Sequence, residues 1–310
     1  MPASAVTLFQ TAKSMPEGPS RGVVMTYALA YQPFSVMPIE SAPQGVKKWT
    51  VDDKLTHTTT TDGFRNFDAE YTARYANSRP FSESVRIAGG RVKIDRMQDK
   101  INPAEAQRQQ RNQIAAMARG TTISMFEGGD GSEFKGFDSW LDNESLFSSQ
   151  TVDMGTASAG SIVTEDGLDE VLDKQNIIPG RTFIYTTQAV NRRIKKLSRG
   201  TASGSYNINY TPEQLGMFDG KYDGIPIVAL RDGKGDDLLD ATLGDGSSSS
   251  LYVVTYGEDN VMGFQVAPME VIGMNEASVF SYFDIEWGVG IAPMSRQSIS
   301  RLRYISNSVS

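Results

Sequence analysis

The chain of 310 residues contains no cysteine and a single histidine, His57. The first absence excludes disulfide frameworks, thiolate zinc sites and cysteine nucleophiles, and it fits a reducing compartment. The second leaves little imidazole chemistry to consider. His57 lies in the polar run Leu55-Thr56-His57-Thr58-Thr59, outside the carboxylate context of a general base, and reads as an exposed loop residue. The one Gly-x-Ser-x-Gly, Gly18-Pro19-Ser20-Arg21-Gly22, follows an expected helix rather than a strand and the single histidine has no carboxylate context, so no serine triad is assigned. Long hydrophobic runs are missing too. The most membrane-like stretch, residues 22–31, is too short to span a bilayer, and the first residues lack the charged and apolar regions of a secretory signal. A soluble chain made in the cytoplasm, with no membrane partner, is expected.

Apolar residues are scarce in one particular place. Across residues 43–119, Leu, Ile, Val and Phe fill 12 of 77 positions, about 16%, below what a segment needs for its own core. The segment is nevertheless patterned. Val85-Arg86-Ile87 and Val92-Lys93-Ile94 alternate like strands, Gly89-Gly90 reads as a turn between them, and a helix-compatible run begins at Pro103. It holds 14 Lys/Arg against 9 Asp/Glu, or +5, in a chain of net charge −7, which leaves −12 for the remainder. A basic, coreless extension on an acidic body reads either as a solvated charged hairpin or as an arm that buries its apolar groups on another subunit. On the second reading, deletion of residues 47–96 is expected to leave the rest of the chain folded.

Acidic clusters offer no clear chemistry. Glu127, Asp130 and Glu133, and separately Asp232, Asp236, Asp237 and Asp240, lack the ligand ladder of a calcium loop and read as Gly/Asp turns. Asp232-Gly233-Lys234-Gly235-Asp236 lacks the Gly-Lys-Ser/Thr of a phosphate loop. The densest basic cluster, Arg192, Arg193, Lys195, Lys196 and Arg199, is expected on the helix face opposite Val190 and Ile194, either solvated or touching nucleic acid or an acidic neighbour. An acidic pI near 5.0 argues against a conventional nucleic-acid binder. No catalytic, cofactor-binding or metal-binding residue is assigned.

Periodicity places helices over residues 4–14, 21–31, 103–118, 164–174 and 188–197, and strands over 46–55, 82–97, 121–126, 181–186, 222–231, 251–256, 285–291 and 301–305. Asn102 is the expected N-cap of the third helix, with Pro103 at its first position, Glu105 as capping-box partner and Gly120 as its terminator. The mixture indicates an α+β fold.

The order of features resembles a known family. A long hairpin ending Val92-Lys93-Ile94-Asp95 precedes the polar helix. Then follow Met125-Phe126-Glu127-Gly128-Gly129-Asp130, Glu133-Phe134-Lys135-Gly136-Phe137, Asn191-Arg192-Arg193, Tyr222-Asp223-Gly224-Ile225-Pro226-Ile227 and Trp287-Gly288-Val289-Gly290-Ile291-Ala292. Together these resemble the major capsid proteins of tailed bacteriophages, of the Hong Kong ninety-seven type. The resemblance implies an N-terminal arm (1–42), an extended loop lying over an adjacent subunit (43–98), a spine helix with the first part of a peripheral domain (99–160), an axial domain (161–259) and a return to the peripheral domain (260–310). It implies a structural protein, not an enzyme, that self-assembles through hexamers and pentamers and matures from a procapsid into an icosahedral virion shell around double-stranded DNA. A separate scaffolding protein, a portal and a decoration protein are the implied partners.

Inter-subunit contacts are then expected at Lys47, Lys48, Arg86, Arg91, Lys93, Arg96, Arg108 and Arg111, and a structural turn at Gly224 and Pro226. Some members crosslink through a loop lysine. Lys47, Lys48, Lys54 and Lys93 are available, but no partner asparagine or catalytic glutamate is located, so crosslinking is not inferred. The same shell could instead enclose enzymes in a cellular nanocompartment. A soluble hydrolase using the acidic clusters is a third reading.

Overall fold

The computed structural model describes residues 6–15, 19–52, 67, 78–129, 131–200, 208–209, 220–231, 235–239, 248–277 and 279–307. The chain enters through β1 (Val6–Thr7), α1 (Leu8–Ser14), α2 (Pro19–Ala30), α3 (Gln32–Val36) and β2 (Pro38–Ser41). It continues through β3 (Val46–Asp52), β4 (Ser78–Ser84), β5 (Arg86–Asp95), α4 (Arg96–Ile101), α5 (Pro103–Glu127) and α6 (Phe137–Asn143). Next come β6 (Thr151–Asp153), α7 (Glu165–Asp173), β7 (Thr182–Thr186), α8 (Gln188–Gly200), β8 (Ile208–Asn209), β9 (Gly220–Tyr222) and β10 (Ile225–Ala229). The last strands are β11 (Ser248–Thr255), β12 (Val261–Gln265), β13 (Glu270–Ala277), β14 (Phe280–Pro293) and β15 (Ile299–Ser306).

These strands form two main sheets. The first runs β1-β2-β12-β14-β13, with β5 paired to β14; the second runs β6-β15-β11-β7-β10-β9-β8. β3 and β4 form a separate hairpin. β7 and β11 are buried along their whole length, because both faces of the second sheet are covered. Phe183, Tyr185, Tyr252 and Val254 point into a core shared with the first sheet, α2, α5 and α6. The alternate residues Ile184, Leu251, Val253 and Leu302 face α7 and α8. β15 pairs with β11 and β6, so residues 299–306 belong to the second sheet by pairing rather than to the first.

Three sequence expectations are corrected. The spine helix continues through Gly120 to Glu127, so residues 121–126 are helix and not strand. A helical glycine costs about 1 kcal/mol, whereas Met125 and Phe126 are fully buried and each contributes about 1.5–3 kcal/mol. The hydroxyls of Thr121 and Thr122 donate to the carbonyls of Met117 (3.1 Å) and Ala118 (2.8 Å), which suits β-branched residues to this stretch. At 25 residues the helix is about 37 Å long.

The second correction concerns Gly89-Gly90, which is no turn: β5 runs straight through it and pairs with β14 from Arg86↔Val289 to Asp95↔Phe280. A Cβ on Gly89 would lie 2.0 Å from the Ile285 carbonyl oxygen, so glycine is needed for close strand approach. Third, the 43–119 segment does bury its apolar groups in its own subunit. Trp49, Val51, Val92, Ile94, Ile114 and Ala118 are all in the core. The Trp49 indole packs 5.6 Å from that of Trp140, and its Nε1 donates to the Pro293 carbonyl at 2.9 Å. The segment read as an N-terminal arm is likewise packed from Leu8 onward, with Val24, Tyr27, Phe34 and Met37 in the same core.

The helix expected over residues 164–174 is α7. Thr164 caps α7, its hydroxyl accepting from the Gly167 amide at 3.2 Å, and Leu168, Val171 and Leu172 face the core. Thr164→Ala should therefore cost about 1 kcal/mol in urea unfolding of the isolated subunit; an unchanged midpoint would show the cap to be dispensable. Asp223 and Gly224 both have positive φ (48° and 77°) and close a two-residue hairpin between Tyr222 and Ile225. Pro226 follows as the second residue of β10, opposite Lys221.

The two cores are joined by a buried ionic cluster. Arg301 on β15 is 1% exposed; its Nη1 lies 2.5 Å from Asp138 of α6 and its Nη2 contacts Asp142. The Tyr252 hydroxyl on β11 donates to the same Asp138 oxygen at 2.7 Å. Burial pushes the Asp138 carboxyl above its ordinary range, opposed by the Arg301 charge and by the Tyr252 and Arg301 hydrogen bonds.

Candidate assembly surfaces

The hairpin is fixed at its base. β3 and β4 pair in register from Val46↔Ser84 to Asp52↔Ser78, and Trp49 with Phe81 stacks onto Trp140 and Phe147. Between Asp52 and Ser78 only Phe67 is described, and it is 99% exposed. His57 and Lys54 lie outside the described residues.

The eight expected contact residues fall into different settings. Lys47 is ion-paired to Glu40 of its own subunit. Arg91 makes a two-pronged pair with Asp284, Nε to Oδ1 at 2.7 Å and Nη2 to Oδ2 at 2.8 Å, and its guanidinium holds the Asp284 carboxyl below the usual carboxylate range. Lys93 places its ammonium 3.6 Å over the Phe280 ring. Arg86 and Arg96 are half-buried, while Lys48, Arg108 and Arg111 are exposed on the hairpin and the first half of α5. The structure does not gather these eight into one patch.

The acidic positions do structural work. Glu133 accepts from the Ser124 hydroxyl (2.6 Å) and the Gly129 amide (3.2 Å), and Asp237 accepts from the Gln188 amide at the start of α8 (2.9 Å). Asp130, Asp232 and Asp240 lie outside the described residues. Among the described residues no group of three or more His, Cys, Asp or Glu could hold a metal ion, and no helix is long and apolar enough to cross a membrane. A polar-lined cavity of about 490 Å³ opens between Thr7, Gln10 and the 256–260 turn.

The basic helix α8 departs from its expected pattern at one position. Arg193 is buried beside Val190 and Ile194, leaving Arg192 and Lys196 exposed and Lys195 half-buried. The 100° step per residue sets position 193 next to the 190/194 stripe. A feature absent from the sequence reading lies on α7, where Asp166, Asp169, Glu170 and Asp173 are all exposed. Their i, i+3, i+4, i+7 spacing was the available signal.

No protein-family profile matches the chain, and no curated protein matches it in sequence. Its fold, however, is similar to those of solved shells. The capsid of the native GTA particle superposes with a TM-score of 0.61 at 12% identity, covering 94% of this chain and 94% of that one. The encapsulin of the holo complex from Synechococcus elongatus gives 0.58 at 12% identity, covering 97% and 95%. The cyanophage A-1(L) capsid gives 0.58 at 11%, covering 90% and 92%. The chain therefore shares the fold of these solved shells, the α+β Hong Kong ninety-seven type capsid fold that the sequence resemblance implied.

Proposed function

We propose that the chain is a structural capsid protein that assembles through hexamers and pentamers into an icosahedral shell around double-stranded DNA. The observation that carries the reading is coverage: the shell fold accounts for 94% or more of the chain in two solved relatives. On this reading residues 1–42 form the N-terminal arm, 43–98 the extended loop, 99–160 the spine and start of the peripheral domain, 161–259 the axial domain and 260–310 the return. Work is mechanical rather than catalytic: many small contacts make a container, and a net charge of −7 disfavours adhesion of packed DNA to its walls. Lys48, Arg108 and Arg111, exposed in the subunit, are the basic residues best placed to meet an acidic neighbour. Scaffolding, portal and decoration partners belong to the same reading.

The encapsulin likeness supports a second reading, a nanocompartment enclosing cargo enzymes. One experiment separates them. Particles assembled in the chain's native source, with its own partners present, are isolated, imaged by negative stain and treated with nuclease. Closed shells holding nuclease-protected DNA are expected. Shells holding protein but no DNA select the nanocompartment, and monomers alone at all concentrations overturn both.

A further inference from the structure

We propose that the bulge at Tyr304, together with the charge-free hairpin beside it, is a contact surface for a second copy of this chain. This rests on the shell reading above. Among the described residues two non-glycines have positive φ, Asp223 and Tyr304. Asp223 sits in a two-residue hairpin turn, where aspartate is a favoured residue. Tyr304, with φ of 60°, lies inside β15. A bulky side chain is strained there, and a glycine or asparagine would hold the same backbone more cheaply. Strain kept where a smaller residue would relieve it points to a working surface.

The strain comes from the pairing. β15 meets β11 at Leu251↔Leu302 and again at Ser249↔Ile305, so Arg303 and Tyr304 together stand opposite Ser250. The Arg303 guanidinium lies 4.7 Å from the Tyr304 ring. It is itself held by Asp153, Nε to Oδ1 at 2.8 Å and Nη2 to Oδ2 at 3.1 Å, and by Asp142 at 3.5 Å. A half-buried tyrosine stacked on a fixed arginine combines the two residue types that most often anchor interfaces. Beside it, residues 154–163 contain no charged side chain. Thr156 and Ala159 close this stretch into a tight turn, and Ser161 ties it to the bulge. The Ser161 amide donates to the Tyr304 carbonyl at 3.0 Å, and its carbonyl accepts from the Ser306 amide at 2.8 Å. Ala157, Ser158 and Ala159 are exposed, as is Ile162 at 49%. The surface lies at the margin of the second sheet, whose outermost strand is β6.

Charge selects the occupant. Two copies that each carry −7 repel one another, and they touch at least cost where a surface bears no charge. Nucleic acid fits poorly, because Arg303 is already answered by two carboxylates and these repel phosphates.

The test places the full chain in its native source, where its own partners are present, as the parent, Tyr304→Asn and Ile162→Asp. Particles per amount of subunit are counted by negative stain. The same three chains, purified as unassembled subunits, are melted and followed by circular dichroism. Each variant should lower the particle count at least about tenfold, through loss of an anchor or burial of an unpaired charge. Neither should melt below the parent, since asparagine tolerates positive φ and residue 162 is exposed.

A parental particle count from either folded variant overturns the proposal. So does a Tyr304→Asn chain that melts below the parent or does not fold, because the ring then serves the subunit's own packing. If Ile162→Asp does not fold, Tyr304→Asn alone decides. Intact particles that have lost their nuclease-protected DNA assign the surface to nucleic acid instead. A parent that forms no particles overturns the shell reading itself.

Discussion

Arg301→Met is expected to destabilise the subunit by about 3–5 kcal/mol, the range for removing one partner of a buried ion pair. Arg301 is almost wholly enclosed and answers two carboxylates from α6. Methionine fills similar volume but leaves Asp138 facing only the Tyr252 hydroxyl. Asp142 is about half exposed, with 46% of its side chain accessible, and water takes over its share, so most of the loss belongs to Asp138. Urea unfolding of the unassembled subunit measures it. Adding Asp138→Asn to Arg301→Met should recover part of the loss, because the double variant no longer buries an unanswered charge.

The pH dependence has a definite sign. Burial already raises the Asp138 carboxyl, and Arg301 is among the groups holding it down. Without the guanidinium the folded state takes up its proton more readily than the unfolded state, so stability rises as pH falls. The deficit of Arg301→Met is then largest at neutral pH and narrows through the acidic carboxylate range. A loss below about 1 kcal/mol at neutral pH would place the cluster among ordinary surface pairs.

The second large effect separates the base of the hairpin from its tip. Deleting residues 47–96 is expected to abolish folding, which reverses the expectation drawn from composition. It removes β5, whose pairing with β14 runs from Arg86 to Asp95, together with the buried Trp49, Val51, Val92 and Ile94. Loss of Trp49 alone carries about 3–5 kcal/mol, a large part of the ~5–15 kcal/mol that holds a domain together. Replacing residues 53–77 by Asn-Gly should instead preserve the fold, since the Asp52↔Ser78 pair is in register for a two-residue turn. Under the proposed function this shortened chain melts like the parent but builds no shells. Shells from the shortened chain would remove the tip from the assembly contacts, and a folded 47–96 deletion would show that β5 is dispensable.

Much of the fold was legible in local pattern. The capped helix α7, the amphipathic α8, the Asp223-Gly224 turn and the buried strands of the second sheet follow from spacing and turn chemistry. What was not legible depended on distant partners. Gly89-Gly90 looks like a turn until β14 is laid beside it, and only the approach of Ile285 explains the glycine. Gly120 looks like a helix end until the burial of Met125 and Phe126 is counted. The coreless reading of residues 43–119 omitted Trp49 and treated Val92 and Ile94 as too few, although alternate placement sends both to the same buried face. For the candidate surfaces, the basic residues were visible but their internal partners Glu40, Asp284 and Phe280 were not, being 7 to 193 positions away in sequence. The Arg301 cluster joins positions 159 to 163 apart and leaves no local trace.

The continuous β5–β14 ladder has a mechanical consequence. A pull on the hairpin passes through β4 into β5, which lies along β14 with its neighbouring backbone hydrogen bonds set across the strand direction. Load along β5 is thus borne by many bonds sharing the shear at once, instead of by one bond at a time as in peeling from an end. β14 is itself clamped by β12 and β13 along its other edge. Tension from a neighbouring subunit would therefore be passed into the middle of the first sheet, and the hairpin would behave as a stiff tether rather than a spring.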